Sequence, residues 1–385
     1  MTAVSWSYAA RTRTDHRPLA LFLPDLSGGG GERITLTLGH ALSNLGLDVD
    51  LVVGREHGPL LDEVPRDLNV VDLDHRRLRS AVPTLVRYLR VRRPGWIMPT
   101  IDHANVVGAV AARAARTDTR VVLRPSTTLS LRAPLGAGPA GRMADALSRH
   151  CYRTADAVVA CSHGMADDLA SYCDLPRSRI HVIPNATLGP DVTARARQPL
   201  DHEWFAAGAP PVVLGVGRLA PPKDFGTLLE AVALVRRRRP VRLVVLGEGP
   251  EREVLLRRAA ELGLADDVAL PGFDANPYRY MARAGVFVLS SRREGLPGAL
   301  IEAMACGTRV VATDCPSGAA EVLGDGRYGR LVPVGDAAGM AAAIDAALDD
   351  PERPGPDAVE RYRAMDVARA YLRVLEGVID APVAA

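Results

Sequence analysis

The stretch "VVLGVGR" (212–218) is a strand-like aliphatic run that begins directly after a segment, 186–211, broken by Pro, Gly and polar residues. From it a rhythm runs downstream through "RLVVLGEG" (242–249), "VALPGF" (268–273), "VFVLSS" (286–291) and "RVVATDC" (309–315), with amphipathic segments between. The same alternation stands upstream: "LALFLP" (19–24), "DVDLVVG" (48–54), "WIMPT" (96–100), "RVVLRP" (120–125), "DAVVACS" (156–162) and "IHVIPN" (180–185). Helical patterns occupy 32–46 and 104–115. Aliphatic runs without polar alternation belong to strands covered on both faces, hence to parallel sheets sandwiched by helices. The chain therefore reads as α/β, with two doubly wound, Rossmann-like domains at 1–190 and 212–356 and a linker at 191–211. The last segment, 357–385, is expected to carry a helix that crosses back to the N-terminal domain. Tandem doubly wound domains turn their carboxyl strand ends toward each other, which makes a cleft the expected ligand site.

Composition narrows the class. The chain has 385 residues, 48% of them hydrophobic and only 4% aromatic, so aliphatic side chains and alanine must build the cores. Net charge is +2, unevenly spread: residues 1–195 carry 24 arginines against 19 acids. The surplus gathers in "DHRRLRS" (74–80) and "VRYLRVRRPG" (86–95), read either as solvated helix faces or as contacts for phosphates or an anionic membrane surface. No basic run is interleaved with stacking aromatics, which argues against nucleic acid. The five cysteines form no CxxC pair and no metal-ligand spacing, as expected of reduced, packed thiols in the cytoplasm. The N-terminal stretch has no apolar leader region, so a cytoplasmic protein with optional peripheral attachment is expected.

Three stretches carry chemistry. "LPDLSGGGGER" (23–33) sets four glycines between a strand and a helix. The backbone around Gly29 and Gly30 can approach a ligand oxygen there, at the positive end of the helix that follows. A merely flexible loop is the plain alternative. The stretch matches neither GxGxxG with a downstream acid nor GxxxxGK[ST], which weakens nicotinamide and P-loop readings. In "GVGRLAPPKDF" (215–225), Arg218 and Lys223 bracket a strand-to-helix turn, and Lys223 is the only lysine among 47 basic residues. A planar fork and a point charge so placed can neutralise a diphosphate. In "SSRREGLPGALIEAMACGTRVVATDCPSGAAE" (290–321), Glu294 lies in a turn and Glu302 eight residues later inside a helix. The helix start near Gly295–Gly298 suits phosphate, and Glu302 can accept both hydroxyls of a vicinal diol. Two carboxylates beside an anion fit a sugar nucleotide better than free phosphate.

With these segments in place, the sequence resembles the retaining glycosyltransferases of family 4, which have the GT-B fold. The likeness runs from "SGGGGER" through "DHAN", "GVGRLAPPKDF" and the E-x7-E segment to "GRYGRLVPVGD". It implies that Arg218 and Lys223 bind the donor diphosphate and that Glu302 holds the ribose. It implies that Glu294 bonds donor-sugar hydroxyls with the backbone of Gly295 and Leu296. The base is implied near Gly272 and Phe273, and His103 matches the family histidine near the reacting sugar; without the resemblance His103 reads equally as a capping or surface residue. Asp25, Arg33, Asp102, Asn105 and Arg124 are weaker candidates for the acceptor.

The expected reaction is therefore retaining transfer from a nucleoside-diphosphate sugar, UDP-linked in the favoured form, to an acceptor hydroxyl, with the glycine loop at Gly29 and Gly30 closing over the donor. The acceptor is a lipid-linked or polysaccharide glycan, or a small natural-product aglycone such as an aminocyclitol. No cofactor or metal is expected: "DLDH" (72–75) has the Asp-x-Asp form of metal-dependent transferases but stands far from the E-x7-E segment. Two competing readings are a nucleotide-cofactor oxidoreductase using the GGGG loop and a sugar-nucleotide-binding protein without catalysis.

Overall fold

The computed structural model describes residues 17–131 and 138–377; the N-terminal stretch up to residue 16 and the end of the expected closing segment lie outside them. Two compact units result. The first comprises the chain up to Ala160, Ala166–Ala186 and the part from Met365 onward; the second comprises Cys161–Met165 and Thr187–Ala364.

The first unit strings strands β1 (Leu19–Leu23), β2 (Val49–Val53), β3 (Asn69–Asp72), β4 (Trp96–Pro99), β5 (Arg120–Leu123), β6 (Ala157–Ala160) and β7 (Ile180–Val182) with helices α1 (Gly30–Asn44), α2 (Val82–Arg92), α3 (Asp102–Ala115), α4 (Gly138–Thr154) and α5 (His163–Cys173). Its sheet runs β3-β2-β1-β4-β5-β6-β7, every pair parallel. Chain order reverses between β1 and β4, so the two loops leaving these strands diverge and open a crevice at their carboxyl ends. Phe22, Val52, Ile97, Leu85 and Leu89 fill one face of this sheet. Truncating such a residue to alanine would cost about 2–5 kcal/mol. One carboxylate sits inside: Asp50, wholly buried, accepts from Tyr88 Oη at 2.6 Å, Arg92 Nε at 2.9 Å and Asn69 Nδ2 at 2.9 Å. The charge is tolerated because each oxygen has a donor.

The second unit repeats the plan. Helix α6 (Val192–Ala196) leads into β8 (Val212–Val216), α7 (Phe225–Arg236), β9 (Arg242–Leu246), α8 (Arg252–Glu261), β10 (Val268–Gly272), α9 (Tyr278–Met281), β11 (Val286–Leu289), α10 (Gly298–Ala305), β12 (Val310–Thr313), α11 (Ala319–Leu323), β13 (Arg330–Val332) and α12 (Ala337–Asp349). The sheet order is β10-β9-β8-β11-β12-β13, again parallel, with the reversal between β8 and β11. Val213, Val245 and Val288 pack with Leu228, Val232 and Ile344. The last helix, α13 (Ala364–Leu375), is counted with the first unit, where Trp96 Nε1 donates to the Leu375 carbonyl at 3.1 Å.

The two parallel-sheet α/β units are those expected, and the closing helix returns to the N-terminal one. Each aliphatic run is a strand, trimmed at its carboxyl end. Two strands, β3 and β13, have no such run. Both are short sheet edges, and at Asn69, Val70 and Asp72, or at Arg330 and Leu331, they are only partly covered, so they do not spell an aliphatic stretch. The stretch read as a linker is structured on the second unit: Arg283 donates to the carbonyls of Ala196 and Gln198 at 3.2 and 3.0 Å, and His202 and Phe205 set their rings edge-on to Tyr280.

Candidate functional site

The chemistry-bearing residues of the second unit gather where its strand order reverses. β8 ends at Val216 and releases Gly217, Arg218 and, after one turn of 3₁₀ helix, Lys223. β11 ends at Leu289 and releases Ser290 to Leu296 before α10 begins. The loops are tied together. Ser290 Oγ donates to the Lys223 carbonyl at 2.7 Å, Arg292 N to the Pro222 carbonyl at 2.8 Å, and Arg292 Nε lies 3.0 Å from the Asp224 carboxylate.

Across this junction Lys223 Nζ lies 2.5 Å from Glu294 Oε1, with the two side chains 28% and 12% exposed. Ser291 Oγ donates to the same oxygen at 2.6 Å. Partly withdrawn from water, the pair is screened by solvent less than a surface bridge is. Glu294 thereby holds the lone lysine at the junction of the two loops. Arg218, earlier in the loop after β8, is exposed. Glycine permits the close approach of the loops. Gly247 has φ 138°, and a Cβ there would lie 2.0 Å from the Gly217 carbonyl oxygen. Gly318 has φ 80°, and its Cβ would meet the Gly295 carbonyl oxygen at 2.4 Å.

α10 starts after Pro297 and carries Glu302 in its second turn, with the positive end of the helix close by. Tyr278 Oη donates to Glu302 Oε1 at 3.1 Å. The negative charges register on the neighbouring thiols. Burial, then the Glu302 charge, pushes Cys306 up to about 12; burial, then the Glu294 charge, pushes Cys315 up to about 11. Neither thiol is a nucleophile at neutral pH. Gly272 is buried with φ 95° at the end of β10, and the next residue, Phe273, is 44% exposed. A flat base could stack on this ring.

The first unit's reversal point brings together the loops after β1 and β4. Gly29 and Gly30 are exposed at the start of α1, and no atom lies within 4 Å of a Cβ placed on Gly30. The Glu32 carboxyl folds back over Gly29. Burial, helped by the Asp25 charge, raises its pKa against the lowering effect of its own backbone bond. Thr35 Oγ1 bonds Thr100 Oγ1 at 3.0 Å, stapling α1 to the end of β4. His103 stands exposed in the first turn of α3.

The acceptor candidates divide. Asp25 accepts from Ser27 N at 3.1 Å within its own turn, and Arg33 pairs with Glu63 at 3.3 Å. Asp102 holds the loop after β5, accepting from Ser126 N at 3.1 Å and Thr127 Oγ1 at 2.9 Å. Asn105 and Arg124 lie inside the unit. Asn105 is wholly buried, donating to the Arg124 carbonyl and to Tyr152 Oη at 2.9 Å each; Arg124, 3% exposed, donates to Asn185 Oδ1. Their polarity serves the interior of the unit. "DLDH" is the turn that ends β3: Asp74 N donates to Asp72 Oδ1 at 2.8 Å. Asp224 and Tyr278 give no sequence signal, since each acts on a partner from a distant segment, and Ser291 reads only as a polar residue at a strand end.

Comparison with known proteins follows this division. Residues 28–187 match the model described as Glycosyltransferase Family 4, and residues 210–350 that of Glycosyl transferases group 1. The chain is 33% identical to the lipopolysaccharide core biosynthesis glycosyltransferase LpsE of Rhizobium meliloti, over 90% of this chain and 96% of that one. It is 29% identical to the N-acetylgalactosamine-N,N'-diacetylbacillosaminyl-diphospho-undecaprenol 4-alpha-N-acetylgalactosaminyltransferase of Campylobacter jejuni, covering 86% and 90%. It is 33% identical to the 2-deoxystreptamine N-acetyl-D-glucosaminyltransferase of Streptomyces fradiae, over 60% of this chain and 57% of that one. Among solved structures, Anabaena HepE in complex with UDP-glucose superposes with TM-score 0.70 at 21% identity, covering 94% and 98%, and so shares the fold, GT-B.

Proposed function

This chain belongs to the family 4 glycosyltransferases, and on that premise we propose that it moves a sugar from a nucleoside-diphosphate donor to an acceptor hydroxyl, with retention and without a metal. The observation that carries the reading is the Lys223–Glu294 pair at the second unit's strand reversal, with Arg218 earlier in the loop after β8 and α10 starting after Glu294. As the glycosidic bond breaks, negative charge grows on the leaving diphosphate; on this reading Lys223, Arg218 and the α10 N-terminus stabilise it, the task a metal performs elsewhere. Glu294, held by a cation and a serine hydroxyl, accepts sugar hydroxyls on this reading rather than acting as a nucleophile. That supports same-face attack: the acceptor oxygen bonds C1 as the C1–O(phosphate) bond breaks, and the acceptor proton passes to the departing phosphate oxygen. UDP is the favoured carrier, as in the HepE complex.

For the acceptor, a lipid-carried glycan is favoured. Two relatives matched over 90% and 96% of their length are named for a diphospho-undecaprenol substrate and for lipopolysaccharide core synthesis. One observation on the chain agrees. Pro139, Arg142, Met143, Ala146, Leu147 and His150 form an exposed stripe on α4, with Met143 72% and Leu147 42% exposed. An apolar outward face with Arg142 at its edge suits an anionic interface. No helix among the described residues is long and apolar enough to cross a membrane. The aminocyclitol reading keeps the support of the 2-deoxystreptamine relative over part of the chain.

Thermal-shift screening against UDP- and GDP-sugars, followed by transfer assays in excess EDTA, tests the reaction. Stabilisation by a nucleotide sugar and EDTA-resistant turnover are expected; stabilisation by NAD alone, or EDTA-abolished turnover restored by Mn²⁺, would contradict it. Co-sedimentation with anionic vesicles at low salt is expected for the native protein and lost in Met143→Glu/Leu147→Glu. Absence of binding by the native protein would move the assignment to a soluble acceptor.

A further inference from the structure

Glu302 is asked to present its carboxylate to a diol, yet a glutamate on a helix surface has several rotamers. One of its oxygens is fixed by Tyr278, which is 4% exposed and donates its hydroxyl to Oε1 at 3.1 Å. Tyr278 opens the four-residue helix α9, too short to hold itself in place. Its support comes from the segment between the two sheets. The Arg195 guanidinium lies over the Tyr278 ring, 5.1 Å from the centroid, and donates to the Ala275 carbonyl. Asn276 Nδ2 returns bonds to the Arg195 carbonyl at 3.0 Å and to Gln198 Oε1 at 2.8 Å. Arg279 pairs with Asp274 at 2.8 Å and reaches the Pro199 carbonyl at 3.3 Å. Residues 191–199 thus clamp the loop 274–279.

We propose that Tyr278 is a positioning residue for donor binding: clamped by Arg195, it fixes Glu302 Oε1 so that the remaining lone pairs face the ribose diol of a nucleoside diphosphate. The proposal rests on the donor reading above and adds a residue to it. A cation over the ring face draws electron density from the phenol, making its hydroxyl a better donor to the carboxylate. The segment that looks like a spacer in the sequence acquires a task, holding the ribose end of the donor site.

Tyr278→Phe keeps the ring and its arginine and removes only the hydroxyl. The test is calorimetric binding of UDP and 2′-deoxy-UDP, or of the GDP pair if guanine is preferred, to native protein and variant. The native protein is expected to prefer the ribonucleotide. In the variant its Kd rises about 5–10-fold, the weight of one hydrogen bond to a charged acceptor, while the deoxy form changes less than about 2-fold. Arg195→Met shifts the preference the same way by less. In a Glu302→Ala background, Tyr278→Phe adds nothing. Unchanged ribonucleotide binding, or equal loss of both ligands, overturns the positioning role while leaving the donor reading intact. Failure of the native protein to bind any nucleoside diphosphate overturns the donor reading and this inference together.

Discussion

The two units share one topology, and the reversal points of their sheets differ in how their residues are held. In the second unit, the loops after β8 and β11 are cross-bonded, glycine carbonyls meet glycine Cα atoms, and a lysine–glutamate pair spans the junction. In the first, the loop after β1 leaves Gly30 with open space around it, and the histidine after β4 stands exposed. A tight, charged crevice suits one recurring ligand, a nucleoside diphosphate. An open one can be fitted to varied acceptors by changing a few side chains.

The largest effect that would test this contrast is on turnover. Lys223→Ala and Glu302→Ala should each lower kcat/KM by about 10²–10³-fold, the loss seen when one preorganised stabilising group is removed, with circular dichroism unchanged. Near-native transfer by both variants would erase the distinction between the units. Lys223→Arg sharpens it: a guanidinium should not reproduce the compact ammonium facing Glu294 and the diphosphate, and full activity would show that only charge matters.

Next in size is a pair of glycine substitutions read by thermal unfolding. Gly247→Ala forces a Cβ to 2.0 Å from the Gly217 carbonyl oxygen at φ 138°, and should destabilise the second unit by about 1–3 kcal/mol. Gly30→Ala meets nothing within 4 Å and begins a helix, so stability should hold or rise by about 1 kcal/mol while turnover of the donor sugar falls. Equal destabilisation would mean the two loops are built alike.

The smallest effect is a pH dependence. The folded pKa of Glu32 is raised by burial, so the folded state keeps a proton that the unfolded chain loses above the ordinary glutamate value of 4.5. Stability is therefore lost as pH rises from that value through the folded pKa. Glu32→Gln should match the native melting temperature below this window and exceed it at pH 7. A gain that is the same at both pH values would remove the charge argument.

Much of this was legible in the sequence. Strands buried on both faces spell themselves as aliphatic runs, and the restart at Val212 announces a second sheet. β3 and β13 do not, because half-covered edges need no apolar run. At the site, Arg218, Lys223, Glu294 and Glu302 stand at strand and helix ends where spacing alone makes them candidates. Asn105 and Arg124 show the limit of that reasoning. A polar residue after a strand looks available, and only the packing of α4, which brings Tyr152 against Asn105, turns it inward. Tyr278 was invisible for the converse reason, since its partners Arg195 and Glu302 come from segments remote in sequence.

The central claim is that the second unit's reversal point holds the donor, through Lys223 against Glu294. Calorimetric titration of native protein, Lys223→Ala and His103→Ala with UDP and GDP tests it most directly. The account predicts that the lysine variant loses about 10–100-fold in affinity for the preferred nucleotide, as expected for a lost charge-assisted bond, while the histidine variant binds as the native protein does. The reverse pattern, with binding intact in Lys223→Ala and lost in His103→Ala, would contradict it.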